Sequence, residues 1–152
     1  MPNYPKDLHM QHLQRFLHKF SRVAKRAYDF GGYALHPVEI HTLAFITGKG
    51  RSYVSEIARE TAVTRGAVSQ VVARLTDKGL VDKAPDPANT SRMLIHPTAE
   101  GERVAAAHDT FHDQRDQRFL AFLERLDADQ RRIVKQLFFE MDCWMDNYLD
   151  DT

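Results

Sequence analysis

The stretch "TRGAVSQVVARL", Thr64–Leu75, decides how this chain is read. Val68, Val71, Val72 and Leu75 fall at i, i+3, i+4 and i+7, one apolar stripe on a 3.6-residue period. The opposite side carries Gly66, Ser69, Gln70, Ala73 and Arg74. Glycine and three valines are poor helix formers, so packing of the stripe, not propensity, must hold this helix. Its outward face is small and polar, which suits close approach by another molecule.

The neighbouring sequence gives the helix a context. Upstream, Ser55 is a candidate N-cap for a short helix in which Glu56 and Glu60 flank Ile57 and Ala58, stopping near Ala62. Thr64 can cap the quoted helix, and Gly79 stands at its C-terminal side. Two short helices joined by a tight turn form a helix-turn-helix. Downstream, Leu80-Val81 and Met93-Leu94-Ile95 flank the turn-rich "PDPANTS", which predicts a β-hairpin. A hairpin after a helix-turn-helix is a wing.

Longer helices flank this lobe. Leu13, Phe16, Leu17, Phe20, Val23, Ala24 and Ala27 predict an amphipathic helix over roughly residues 7–29, broken at Gly31-Gly32. Pro37 suits the first turn of a second helix that runs to Gly48. Thr98 can cap a long helix to about Arg125, and Asp127 starts a last one carrying Ile133, Leu137, Met141, Trp144 and Tyr148. The expected fold is mainly α with a small β-hairpin wing.

The 152 residues suffice for one domain with a real core. No apolar run reaches the ~20 residues of a membrane span, and "MPNYPKDLHMQHLQ" lacks the apolar run of a signal peptide. The single Cys143 excludes an internal disulfide and suits a reducing cytoplasm, the expected location. A buried thiol beside Trp144 is the expectation for it. Net charge is zero, which argues weakly against a nucleic-acid binder, since dedicated binders are often basic overall, but its distribution is uneven. Residues 1–28 hold six Lys or Arg and one acid, residues 49–92 eight bases and five acids, and residues 137–152 five acids and no base.

From about Leu35 to Gly101 the sequence resembles the MarR family of bacterial transcriptional regulators. The stretches that carry the resemblance are "EIHTLAFI", "VSEIARETAVTRGAVSQVVARLTDKGLV", the Asp86-Pro87 turn and "TAEG". Within them stand Ser69-Gln70, Arg74-Leu75 and Lys78-Gly79-Leu80. At the wing the family commonly shows Asp-x-Arg or Asp-Arg-Arg; here Asn89-Thr90-Ser91-Arg92 leaves Arg92 as the candidate wing arginine. The resemblance implies a winged helix-turn-helix lobe at 35–97, between an N-terminal dimerisation helix at 1–34 and C-terminal dimerisation helices at 98–152. It also implies a homodimer, probing a palindromic operator in double-stranded DNA with two recognition helices. A repressor whose DNA affinity responds to a small ligand or metal is the function that follows, with no membrane partner.

Residue chemistry assigns the DNA contacts. Gly66 and Ala73 permit close approach. Ser69 and Gln70 can bond base edges, and Gln suits adenine. Arg65 and Arg74 can read guanine or clamp phosphate, Thr64 and the helix N-terminus can meet a phosphate, and Arg51 and Ser55 are further phosphate candidates. The alternative is a surface helix with ordinary polar decoration.

His108 and His112 stand at i, i+4, ligand spacing for zinc or a similar divalent ion, and Asp116 continues that face. His41 lies in the second helix. Zinc-sensing MarR repressors are similar in using a second-helix histidine with such a pair in the fifth helix; Glu39, Asp29 and His36 are open choices for a fourth ligand. Two other uses stay open: a ligand pocket lined by His41, Tyr28, Tyr33 or Phe45, and plain structure, with His108 packed beside Val104 and Phe111 and His112 paired to Asp116. Competing classes are a winged-helix protein-interaction module and a His/Asp metal-dependent enzyme. The sequence holds no Gly-x-Ser-x-Gly, phosphate loop or His-Glu-x-x-His, so no enzyme is expected.

Overall fold

The computed structural model describes residues 8–149. Asp7 at the expected start of the first helix, and Asp150 and Asp151 of the acidic end, lie outside the described residues. The described elements are α1 (Leu8–Ala24), β1 (Tyr28–Phe30), β2 (Tyr33–Leu35), α2 (Pro37–Lys49), α3 (Val54–Thr61), α4 (Arg65–Asp77), β3 (Val81–Asp86), β4 (Asn89–Pro97), α5 (Ala99–Glu124) and α6 (Ala128–Leu149). They fall into two compact units, Met1–Phe111 and His112–Thr152, with α5 contributing to both. None of the described helices is long and apolar enough to cross a membrane.

In the first unit the valine stripe does what its period predicts. Val68, Val71, Val72 and Leu75 are all buried, joining Leu35, Ile40, Leu43, Ile46, Ile57, Leu80, Val81, Ile95 and Val104 in one core. Thr64 caps α4, its Oγ1 accepting the Ala67 N–H at 3.3 Å. Between α3 and α4 the chain turns at Ala62 in the left-handed region, φ 53°. The wing is an antiparallel pair, β3 with β4, in which Val81 faces Pro97 and Lys83 faces Ile95. Ser52 and Ile95 exchange two backbone hydrogen bonds at 2.9 Å, tying the wing base to the segment before α3.

Two expected boundaries are corrected. The first helix does not reach residue 29; α1 ends at Ala24, and Tyr28–Phe30 pairs with Tyr33–Leu35 across Gly31-Gly32. Both glycines adopt positive φ, 64° and 94°, and Asp29 accepts the Gly32 N–H at 3.2 Å, so a tight turn replaces the last helical turn. Ser55 is not the cap of α3. The N-cap is Tyr53, and Ser55 lies inside the helix.

Thr98 begins α5 as expected, Oγ1 accepting the Gly101 N–H at 3.0 Å and donating to the Gly79 carbonyl at 2.7 Å. Gly101 is buried because α5 passes directly over Leu80; a Cβ there would collide with the Leu80 carbonyl oxygen. The second unit runs from His112 through a short turn into α6. Asp127 and Gln130 cap α6 reciprocally, each backbone N–H donating to the other's side-chain oxygen at 3.0 and 2.8 Å. Arg131 donates to the Leu126 and Glu124 carbonyls, both at 2.8 Å, satisfying acceptors left over at the end of α5. Ile133, Leu137, Phe138, Phe139 and Tyr148 on α6 are exposed, as are Phe119, Leu120 and Phe122 on α5 and, in the first unit, Phe16, Phe20 and Val23 on α1. Cys143, expected to be buried, is exposed on the single chain.

The contrast between two glycines tests this packing. Gly101→Ala should destabilise the fold by ~1–3 kcal/mol through overpacking against backbone. Gly66→Ala, whose added methyl meets nothing within 4 Å, should raise stability by up to ~1 kcal/mol. Thermal unfolding of both variants checks the pair.

Candidate nucleic-acid interface and metal-ligating histidines

The outward face of α4 carries Arg65, Gly66, Ser69, Gln70, Ala73 and Arg74, all exposed, with Thr64 exposed at its N-cap. A cleft of about 560 Å³ opens beside the start of this helix, lined by Tyr53, Ser55, Glu56, Ala58, Arg59, Arg65 and Arg92. Three of the residues expected to contact DNA, Ser55, Arg65 and Arg92, thus come together from α3, α4 and the wing. Arg59 and Tyr53 were not singled out from sequence. Arg59 stands one helical turn after Ser55, so the i, i+4 spacing was the available signal; nothing in the sequence marked Tyr53. Arg51, with Lys49 and Ser52, lines a second hollow of about 290 Å³.

Arg74 stands apart from this group. Its Nε donates to Glu39 Oε1 at 2.9 Å, and Lys78 Nζ donates to the same oxygen at 3.3 Å. Glu39 is 1% exposed, and its other oxygen accepts the His36 N–H at 2.9 Å. Burial alone would push this carboxyl upward, but the His36 and Arg74 hydrogen bonds and the Lys78 charge outweigh it and hold the group below the ordinary carboxylate range. Glu39, one of the open choices for a fourth metal ligand, is therefore the anchor that ties α4 to α2. His36 is the N-cap residue of α2.

His41 is exposed on α2 and His108 is buried on α5. Their ring centroids are 5.2 Å apart, and their nearest ligand atoms lie within 4.8 Å of each other. The pair therefore fits a shared divalent ion in the chemistry of its donors. Phe30 packs edge-on against His108, with centroids 5.6 Å apart. His112 follows His108 by one turn of α5, and its Nδ1 lies 2.6 Å from Asp116 Oδ2, the carboxylate contact that orients ligating imidazoles. The expected pocket residues are engaged in packing. Tyr28 meets Phe111 edge-on at 5.5 Å, Phe45 lies under the Lys49 ammonium at 5.2 Å, and Tyr33 packs against the core.

Residues 35–89 match the MarR family. Over 55 of its 152 residues the chain is thus similar to the MarR family, and its helices and wing form a winged helix-turn-helix. It is 29% identical over 137 residues to the transcriptional regulator HosA of Escherichia coli, covering 90% of each chain. Among solved structures, the adhesin competence repressor AdcR of Streptococcus pyogenes aligns at TM-score 0.74 and 15% identity, over 90% of this chain and 96% of that one. The zinc-responsive MarR protein ZitR of Lactococcus lactis aligns at TM-score 0.64 and 15% identity, over 90% and 98%. At these identities the two structures show likeness of fold alone.

The Glu39 anchor has a pH signature. Because its carboxyl is held down in the folded state, its contribution is fully present above the unfolded carboxylate value of about 4.3 and is lost as pH falls through the folded value. Glu39→Gln should cost ~1–3 kcal/mol at pH 7, less than a fully buried pair because Arg74 and Lys78 keep part of their hydration. The gap to the unsubstituted protein should begin to narrow only below the unfolded value of about 4.3 and close as pH falls past the depressed folded value, as read by denaturant unfolding across pH.

Proposed function

We propose that this protein is a MarR-family regulator, a sequence-specific repressor that binds a palindromic operator in double-stranded DNA as a homodimer, with a divalent metal as effector. The observation that carries the DNA reading is the convergence of Ser55, Arg65 and Arg92 on one cleft beside the polar face of α4. In this reading Gln70 and Ser69 read base edges, Arg65 reads guanine or holds phosphate, Thr64 and the α4 N-terminus meet a phosphate, and Gly66 and Ala73 allow close approach. Arg74, held by Glu39, serves chiefly to orient the helix. A second copy of the chain is the fitting partner for the exposed apolar residues of α1, α5 and α6, and its two-fold axis would repeat the recognition helix on a palindrome. A variant of ZitR has been solved in complex with DNA, which supports the DNA reading by likeness of fold. Anisotropy titrations on the duplex upstream of the protein's own gene test it. Arg65→Ala and Gln70→Ala should each lose ~1–3 kcal/mol of sequence-selective affinity, with two chains per site. Unchanged selectivity in both variants would falsify this assignment.

The metal reading rests on the His41–His108 pair and the helical spacing of His112. Neutral imidazoles suit zinc, which would supply a fixed bridge between α2 and α5. Such a bridge would immobilise the turn of α2 that holds Glu39, and Glu39 holds α4. ZitR is described as zinc-responsive, which supports the choice of ion. His41→Ala and His112→Ala should each weaken zinc binding at least about tenfold in calorimetric titrations. Operator binding that responds to zinc equally in the unsubstituted protein and in His112→Ala would remove His112 from the metal site, and no response in either would remove the metal as effector.

A further inference from the structure

The wing does not fix its own arginine. Opposite partners in the β3–β4 ladder jump from Pro85↔Met93 to Asp86↔Asn89, so Thr90, Ser91 and Arg92 face no residue on β3. A bulge of this kind re-aims side chains and leaves their placement to contacts outside the ladder. For Arg92 that contact is Tyr53. The guanidinium carbon lies 4.3 Å from the centre of the Tyr53 ring, well inside the range of a cation–π contact.

The ring is itself held from behind. Tyr53 O–H donates to Asp86 Oδ2 at 2.7 Å. Asp86 is buried and accepts the Ala88 N–H on its other oxygen at 2.9 Å, in the wing turn. Tyr53 sits at the N-cap of α3, where short polar residues usually accept a helix amide, yet its side chain makes no capping bond. The position has exchanged a cap for a bracket between α3 and the wing. An aromatic support also differs from a carboxylate one. A carboxylate would occupy the N–H fork of Arg92 and neutralise its charge, whereas the ring takes only the flat face and leaves the fork for another acceptor.

We infer that Tyr53 is the positioning residue for the wing arginine, holding the Arg92 guanidinium at the cleft shared with Ser55, Arg59 and Arg65 so that its N–H edge meets duplex DNA. This rests on the DNA-binding reading above. Arg92 supplies the charge, Tyr53 its direction and Asp86 the anchor.

The test uses the full chain and a duplex enriched by it from a random-sequence library, with affinity measured across salt concentrations. Arg92→Ala should reduce the slope of log affinity against log salt by about one per wing. Tyr53→Leu should reproduce that reduced slope with Arg92 still present, and the double variant should lose nothing further. Tyr53→Phe, which keeps the ring and removes only the bond to Asp86, should lower the slope less than Tyr53→Leu does. In the DNA-free protein, nuclear magnetic resonance should show Arg92 Hδ and Nε–H signals shifted upfield by the ring current. Absence of that shift in the unsubstituted protein overturns the contact, even if Tyr53→Leu does not fold. An unaltered slope in Tyr53→Leu, or losses that multiply in the double variant, overturns the role. Failure to enrich any duplex would instead overturn the DNA reading itself.

Discussion

A carboxylate removed from water must find partners, and Glu39 finds all of them on the elements that matter for recognition. One oxygen accepts the His36 N–H at the start of α2; the other accepts Arg74 and Lys78 from α4. Sliding or rotating α4 would strand a buried charge, which costs far more than the pair contributes when intact. The valine stripe gives α4 a core to lie on but little rotational preference, since branched apolar side chains pack in many ways at small cost. The ion pair supplies the directional constraint. The outward face of α4, and with it the position of Arg65 and Gln70, depends on that constraint.

The division of labour explains why Arg74 looks like a DNA contact in the sequence. It lies on the polar side of the helix, at the spacing of a groove-facing residue, and a partner 35 positions earlier takes its Nε. Periodicity reports which side of a helix a residue is on. It does not report which distant element shares that side. The same limit applies to Glu39, whose placement three residues after His36 reads naturally as a helix cap. It is one, but the second oxygen and its long-range partners were not legible.

Much else was legible for a physical reason. The α4 stripe, the Thr64 and Thr98 caps and the apolar strands of the wing are local patterns with one structural solution each. Tyr28–Leu35 was misread because Tyr28 and Asp29 extend an amphipathic helix plausibly, while the strand that pairs with them lies beyond the glycines. Tyr53 was invisible because tyrosine is neither a usual cap nor a usual DNA contact; its role comes from Asp86 and Arg92, more than 30 residues away. The histidine pair in α5 could be read from spacing alone, but the proximity of His108 to His41 is a tertiary fact.

Zero net charge need not oppose DNA recognition once the charges are assigned. Lys49 is paired with Glu56, Arg59 with Glu60, and Arg74 and Lys78 with Glu39. Much of the basic excess in residues 49–92 is thereby spent within the lobe. Attraction for DNA at large scales with the number of phosphates neutralised, so a lobe with few uncommitted cations gains little from non-specific contact. In the proposed reading, discrimination then falls to the polar face of α4, where each well-placed contact would penalise a wrong base. Such a protein would dissociate readily from random sequence, and small changes in the orientation of α4 would be enough to release it from its site. An anchor that grips α4 through one buried carboxylate, two residues from His41 on the same helix, is well placed to set that orientation.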